Sequence, residues 1–142
     1  MKIEVDPDKC IGCYICETVC MMKYEGVFNP RKGRIRLKAG EKSGGIPAKY
    51  VPTVCLQCEE PDCVPSCPTE ALVRNEDTGI IEVEEELCTG CEACIQACPY
   101  DAIFIHPEKT VAIKCEVCSG EPLCTPLCPS GALRLIKYDP MR

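Results

Sequence analysis

Apolar and polar positions alternate in short runs along this chain, and no run is long. Lys2-Ile3-Glu4-Val5 alternates and predicts a short strand, closed by the turn Asp6-Pro7-Asp8. Gly33-Arg34-Ile35-Arg36-Leu37-Lys38 alternates basic and apolar side chains, which predicts an exposed strand, half of a hairpin. Lys42-Ser43-Gly44-Gly45-Ile46-Pro47 reads as a flexible turn, and Tyr50-Val51-Pro52-Thr53-Val54 as an extended segment. Residues 71–74 and 80–83 flank the turn residues Asn75-Glu76-Asp77-Thr78-Gly79, and residues 102–105 and 110–113 flank His106-Pro107-Glu108-Lys109. Each set predicts strand, turn, strand. Ala132-Leu133-Arg134-Leu135-Ile136 is a last strand. A helical segment is expected after Cys13, for about two turns. Many hairpins and little helix make an α+β chain.

What lies between these runs is cysteine. Quartets stand at Cys10, Cys13, Cys16, Cys20; at Cys55, Cys58, Cys63, Cys67; at Cys88, Cys91, Cys94, Cys98; and at Cys115, Cys118, Cys124, Cys128. The third is C-x2-C-x2-C-x3-C-P, the spacing that holds a cubane iron–sulfur cluster. The second and fourth lengthen the middle gap, and the first has Met21 where the others have Pro68, Pro99 and Pro129. Cys67-Pro-Thr-Glu-Ala-Leu, Cys98-Pro-Tyr-Asp-Ala-Ile and Cys128-Pro-Ser-Gly-Ala-Leu are three copies of one unit, in which Pro turns the chain away after the fourth Cys.

Composition sharpens this picture. The chain has 142 residues, 16 Cys, 5 Tyr, 2 Phe and no Trp, so large apolar side chains are too few for an ordinary core. Sixteen thiolates match four [4Fe–4S] clusters with none left over. Disulfides could use the same count but give no reason for the repeated spacing. Zinc takes paired C-x2-C knuckles more naturally than three Cys at x2-x2 spacing. A [3Fe–4S] centre would go with a quartet lacking a Cys, and no quartet lacks one.

Formal net charge is −6, and about −14 if four cubanes each add about −2. Nucleic acid is excluded as a partner by that field. No Gly-rich nucleotide fingerprint follows a strand. Without an apolar leader or a membrane-length apolar run, the expected place is the cytoplasm, with no direct membrane span. Residues 21–50 run against the acidic balance, with eight Lys or Arg against Glu25 and Glu41. Two readings stand for this insert: a solvated loop balancing the acidic body, or, favoured, an arm that docks on a catalytic subunit.

In such motifs the fourth Cys reaches a second cluster, so quartets must pair. Quartets two and three, joined by a short hairpin, look like a small two-cluster ferredoxin, leaving one and four as partners. Pairing in sequence order, one with two and three with four, is the alternative, and the long insert after Cys20 argues against it.

The four quartets, the opening Val54-Cys55-Leu56-Gln57-Cys58-Glu59-Glu60-Pro61-Asp62-Cys63 and Ile113-Lys114-Cys115-Glu116-Val117-Cys118 resemble the four-cluster ferredoxin-type electron-transfer subunits of oxidoreductases. That group includes iron–sulfur subunits of dimethyl-sulfoxide-reductase-type molybdenum enzymes, formate dehydrogenases, formate hydrogenlyase, carbon monoxide dehydrogenase with hydrogenase, and tungsten aldehyde oxidoreductases. The resemblance implies two bacterial-ferredoxin-like units of short hairpins and short helices, packed around four [4Fe–4S] clusters. It implies nested ligand sets: Cys10, Cys13, Cys16 with Cys128; Cys55, Cys58, Cys63 with Cys98; Cys88, Cys91, Cys94 with Cys67; and Cys115, Cys118, Cys124 with Cys20. The expected divisions are 1–50, the first motif and basic insert pairing with the C-terminal part; 51–114, the central two-cluster unit; and 115–142, the fourth motif and final strand.

With every iron thiolate-bound, none is open to substrate. The expected role is non-catalytic, with no catalytic residues. Single electrons would pass between a large catalytic subunit, foremost a molybdenum- or tungsten-pterin enzyme oxidising aldehyde or formate, and a ferredoxin or other redox subunit. A free polyferredoxin carrier and a subunit serving carbon monoxide dehydrogenase or hydrogenase are the alternatives. Among other residues, His106 reads as a surface turn residue, and Met21, Met22 and Tyr24 as packing beside a cluster or an interface. Lys114 reads as either a solvated lysine or one that tunes its neighbouring cluster.

Overall fold

The computed structural model of the protein describes residues 1–40, 42–43, 46–47 and 49–137, with only the strand path at 42–43 and 46–47. Its strands are β1 (Lys2–Val5), β2 (Ile35–Ala39), β3 (Lys42–Ser43), β4 (Ile46–Pro47), β5 (Tyr50–Val54), β6 (Leu72–Arg74), β7 (Ile81–Val83), β8 (Ile103–Ile105), β9 (Ala112–Lys114) and β10 (Leu133–Ile136). The α-helices are α1 (Ile15–Glu25) and α2 (Ala93–Ala97). Among the described residues the strands form five two-stranded antiparallel sheets, an α+β arrangement of small pieces.

The pairings position the cysteines. β1 lies against β10, from Lys2 opposite Ile136 to Val5 opposite Leu133. The Asp6 N–H continues this ladder to the Ala132 carbonyl at 2.8 Å. Quartet one, just after β1, is thereby brought beside quartet four, which ends just before β10. In the insert, residues 21–25 close α1, a short 3-10 turn stands at Pro30–Lys32, and β2 then pairs with β5 and β3 with β4. Of the expected flexible turn at 42–47, β3 and β4 are paired strands, and residues 44 and 45 lie outside the described residues. β5 runs across the expected division between residues 50 and 51. β6–β7 and β8–β9 are the two hairpins of the middle region, and β7 packs on β9.

Helix lengths follow the prolines. α2 ends at Ala97, because Pro99 restricts Cys98 to extended backbone, observed at φ −77°, ψ 112°. α1 runs 11 residues, longer than the expected two turns, because Met21 replaces that Pro and lets the helix pass through Cys20. It stops at Gly26, whose φ of 65° forms a left-handed cap with its N–H on the Met22 carbonyl.

The core is part hydrocarbon and part sulfur. Ile3, Ile35, Val54, Ile80, Val117 and Leu133 pack with Cys16, Cys55, Cys115 and Cys124. A second cluster gathers Leu72, Ile81, Ile103 and Ala112 around Cys94. No helix among the described residues is long and apolar enough to cross a membrane.

Candidate metal centres

Each quartet begins with the same backbone reversal. The residue just before the second Cys is left-handed in all four: Gly12 (φ 68°), Gln57 (51°), Gly90 (68°) and Val117 (52°). Such a φ is costly for a β-branched residue such as Val117. At Gly90 a Cβ would stand 2.1 Å from the Thr110 carbonyl oxygen, so only glycine fits. A second reversal follows the fourth Cys. Glu70, Asp101 and Gly131 are left-handed, and their N–H groups return to the carbonyls of Cys67, Cys98 and Cys128 at 3.3, 3.4 and 3.2 Å.

These turns leave four cavities. Site 1 is lined by Cys10, Cys13, Cys16 and Cys128. Site 2 is lined by Cys55, Cys58, Cys63 and Cys98. Site 3 has Cys67, Cys88, Cys91 and Cys94. Site 4 has Cys20, Cys115, Cys118 and Cys124. None of the sixteen cysteines is disulfide-bonded. Among the described residues no three His, Cys, Asp or Glu side chains converge tightly enough for one metal ion. The thiols instead ring a void, which is the arrangement a polynuclear core requires.

The sites follow one another. Cys63 and Cys98 border site 2, while Cys67 and Cys94, about one helical turn away in sequence, border site 3. Cys55 of site 2 and Cys115 of site 4 pack in one buried cluster, and the Gln57 side chain bonds the Cys115 carbonyl. Cys16 and Cys124, of sites 1 and 4, each stand about one helical turn before Cys20 and Cys128, of sites 4 and 1. The spatial order is therefore 3, 2, 4, 1.

The electrostatics separate two kinds of thiol. Burial pushes Cys16 and Cys124 up to about 12 and Cys63 to about 11, and raises Cys115 strongly. Such thiols are protonated at neutral pH and ionise on binding metal. Burial also pushes up on Cys67, but the Thr69 hydroxyl and the N–H groups of Ala71, Thr69 and Leu72 outweigh it and leave its pKa lowered. At Cys128 the Ser130 hydroxyl and the N–H groups of Leu133, Ala132 and Ser130 do the same. Backbone N–H groups also reach Cys20 from Arg34, Cys88 from Ala112 (both 3.3 Å) and Cys115 from Val117 (3.4 Å).

Several sequence readings are corrected. His106 is 1% exposed and not a surface turn residue. Its Nδ1 accepts the N–H groups of Glu108 and Lys109 at 3.2 and 3.0 Å, and its Nε2 lies 3.2 Å from Glu25 on α1. Lys114 is fully buried and not solvated. Of the three residues expected to pack, Met21 is buried and Tyr24 lines site 4, but Met22 is 48% exposed.

The basic insert lies back on its own body. Arg34 reaches Glu116 at 2.5 Å and stacks over Tyr24, while Arg36 covers Phe104. Lys32 pairs with Glu108 at 2.8 Å and Lys38 with Asp101 at 3.1 Å. Opposite charge and aromatic rings within the same chain thus hold these four basic side chains. Gln57 and Glu116 went unnoticed in the sequence. Both stand inside a C-x2-C gap, where a polar residue near buried carbonyls was the available signal.

The chain matches the 4Fe-4S dicluster domain over residues 46–138 and a 4Fe-4S binding domain over residues 2–28. It is 40% identical to the aliphatic sulfonate oxidoreductase polyferredoxin-like subunit of Pyrococcus furiosus, over 98% of this chain and 80% of that one. It is 31% identical to the thiosulfate reductase electron transfer subunit PhsB of Salmonella typhi, over 94% of this chain and 74% of that one. Against a tetrathionate reductase subunit of Salmonella typhimurium it is 36% identical over 90% of its length, spanning 54% of the relative. Among solved structures, a chain of the BamBC active-site complex of benzoyl coenzyme A reductase aligns over 97% of this chain and 81% of its own, with TM-score 0.50 and 26% identity. The sulfur-ringed cavities, their repeated backbone and these matches lead to one statement: the chain belongs to the 4Fe-4S dicluster domain family.

Proposed function

We propose that this protein is a non-catalytic electron-transfer subunit of an oxidoreductase complex, conducting single electrons through four [4Fe–4S] clusters at sites 1 to 4. The observation that carries this reading is the lining of each cavity by four cysteines, three from one quartet and the last from another. Those donor sets fit a cubane. Four thiolates satisfy its irons, and the remaining walls of sites 1, 3 and 4 are largely apolar.

Bound there, a cubane supplies reversible one-electron chemistry and no open coordination position. The chain does the rest. Cysteines on separate loops hold neighbouring sites close, in the order 3, 2, 4, 1. N–H and hydroxyl groups aimed at sulfur stabilise the more negative, reduced charge state, while the acidic surface opposes it. Hydrocarbon from β1, β2, β5 and β10 keeps water from the inner sulfurs.

The ends of such a row suit two partners: a large catalytic subunit and a second redox protein, a ferredoxin or another subunit, in the cytoplasm. A molybdenum- or tungsten-pterin catalytic subunit remains the reading for the first. The names of the relatives, on sulfonate, thiosulfate and tetrathionate, favour a substrate with sulfur–oxygen bonds over an aldehyde or formate. Anaerobic affinity purification from the native host tests this. A stoichiometric large subunit that reduces or oxidises the bound chain within one turnover is expected. A chain that runs as a lone monomer at native concentration would instead make it a diffusing carrier.

A further inference from the structure

Lys114 ends β9 and is 0% exposed. Its Nζ donates to the carbonyl of Ile81 and, at 3.2 Å, to that of Cys115. Gln57 serves the same two carbonyls, at 3.4 and 2.8 Å, and accepts the Ile81 N–H at 2.7 Å. The polar partners of the ammonium are thus neutral groups. Among the described residues no carboxylate comes within ion-pair distance of it. The nearest acidic neighbour in sequence, Glu116, is taken by Arg34 and by the Val83 N–H. A buried cation without a counter-charge is strongly disfavoured, so a charged Lys114 requires an anion facing it.

Position identifies that anion. Ile81, whose carbonyl Lys114 holds, lines site 2 with Cys55, Cys58, Cys63 and Cys98. Cys115, the other carbonyl owner, lines site 4. Lys114 therefore stands in the wall between the two inner sites. A pure hydrogen-bonding duty would duplicate Gln57.

We propose that Lys114 is the internal cation of the inner pair. Its fixed charge is balanced by the anionic thiolate-bound centres at sites 2 and 4 and stabilises each of them after it gains an electron. No proton is exchanged. The consequence is an uneven row, with the two inner sites held at higher potential than thiolate ligation in an acidic body would leave them. This rests on the four-cubane reading of the sites.

The test uses anaerobically reconstituted full chain as wild type, Lys114→Met, Lys114→Gln and Lys114→Arg. Iron is counted first, then midpoint potentials are read by redox titration with paramagnetic resonance. In the Met and Gln variants two of four centres should fall by a tenfold or larger change in their one-electron equilibrium, about 59 mV or more. The other two should stay, and Arg should restore the pair. Unchanged potentials in Met, equal movement of all four centres, or full restoration by Gln would overturn the proposal. If Met and Gln lose iron from two sites while Arg keeps it, the requirement for charge is met in that form. If Arg loses it too, packing and not charge is responsible, and the proposal fails. Wild-type protein short of four clusters would remove the underlying reading instead, a result visible before any variant is compared.

Discussion

The hydroxyl of Thr69 stands 3.6 Å from the sulfur of Cys67, and Ser130 repeats the arrangement 3.7 Å from Cys128. In both cases the hydroxyl sits two residues beyond a fourth-position cysteine, one at site 3 and one at site 1. At Cys98 the same position is Tyr100. A hydrogen bond of about 1 kcal/mol to sulfur corresponds to roughly 40 mV for one electron. Thr69→Val should therefore lower one outer centre by about that amount and leave the inner pair alone. Redox titration of the variant checks this, and an unchanged outer centre would show that the hydroxyl does not serve the sulfur.

Cross-ligation has its own test at Cys20. Its sulfur lines site 4 with Cys115, Cys118 and Cys124, although 95 residues separate Cys20 from Cys115 in sequence. Cys20→Ser should cost iron or alter the signal at that one site and spare site 1, which holds the other three cysteines of its own quartet. Pairing in sequence order would place the damage among Cys55, Cys58 and Cys63. Iron analysis with paramagnetic resonance distinguishes the outcomes.

His106 ties the central hairpin to α1. Two N–H groups point at Nδ1, so Nε2 carries the ring proton. Nε2 lies 3.2 Å from the Glu25 carboxylate without forming a hydrogen bond to it. The two bonds at Nδ1 are thus the firmer part of the link. His106→Ala removes the acceptor of both part-buried N–H groups and empties a buried ring site, and should destabilise the holo-protein by about 1–3 kcal/mol. Glu25→Gln, which leaves them in place, should cost about 1 kcal/mol or less. Anaerobic denaturant unfolding compares the two, and equal effects would shift the weight to Glu25.

Gly90 and Gly79 have nearly the same φ, 68° and 70°, but different surroundings. Around Gly79 nothing lies within 4 Å of an added Cβ, whereas at Gly90 the Thr110 carbonyl is 2.1 Å away. Gly79→Ala should cost about 1–2 kcal/mol, the conformational penalty alone. Gly90→Ala should cost clearly more and loosen iron at site 3. Thermal unfolding monitored by cluster absorbance measures both, and similar losses would mean that the loop yields without strain.

Strand positions other than β3 and β4 were legible to within a residue or two because short period-2 runs sit between strong turn residues. The quartets were legible because spacing alone specifies them. What escaped was tertiary. His106 sits in a turn by sequence, yet the turn closes over it, since Nδ1 caps the N–H groups of Glu108 and Lys109. Lys114 looks like any lysine beside a strand end until β9 packs on β7. The basic insert reads as free charge until the fold sets Glu108, Glu116 and Asp101 opposite it. Lys114 and the basic insert meet partners far away in sequence, Ile81 for the first and Glu108, Glu116 and Asp101 for the second, which local pattern does not carry, whereas His106 is hidden by the way its own turn folds.

The central claim is that each of four cavities receives a cubane. Iron and acid-labile sulfide, measured per chain on anaerobically reconstituted protein, test it most directly. About sixteen of each, four per site, is the expected result. About eight of each, with half of the cysteines still reactive to thiol reagents, would contradict it.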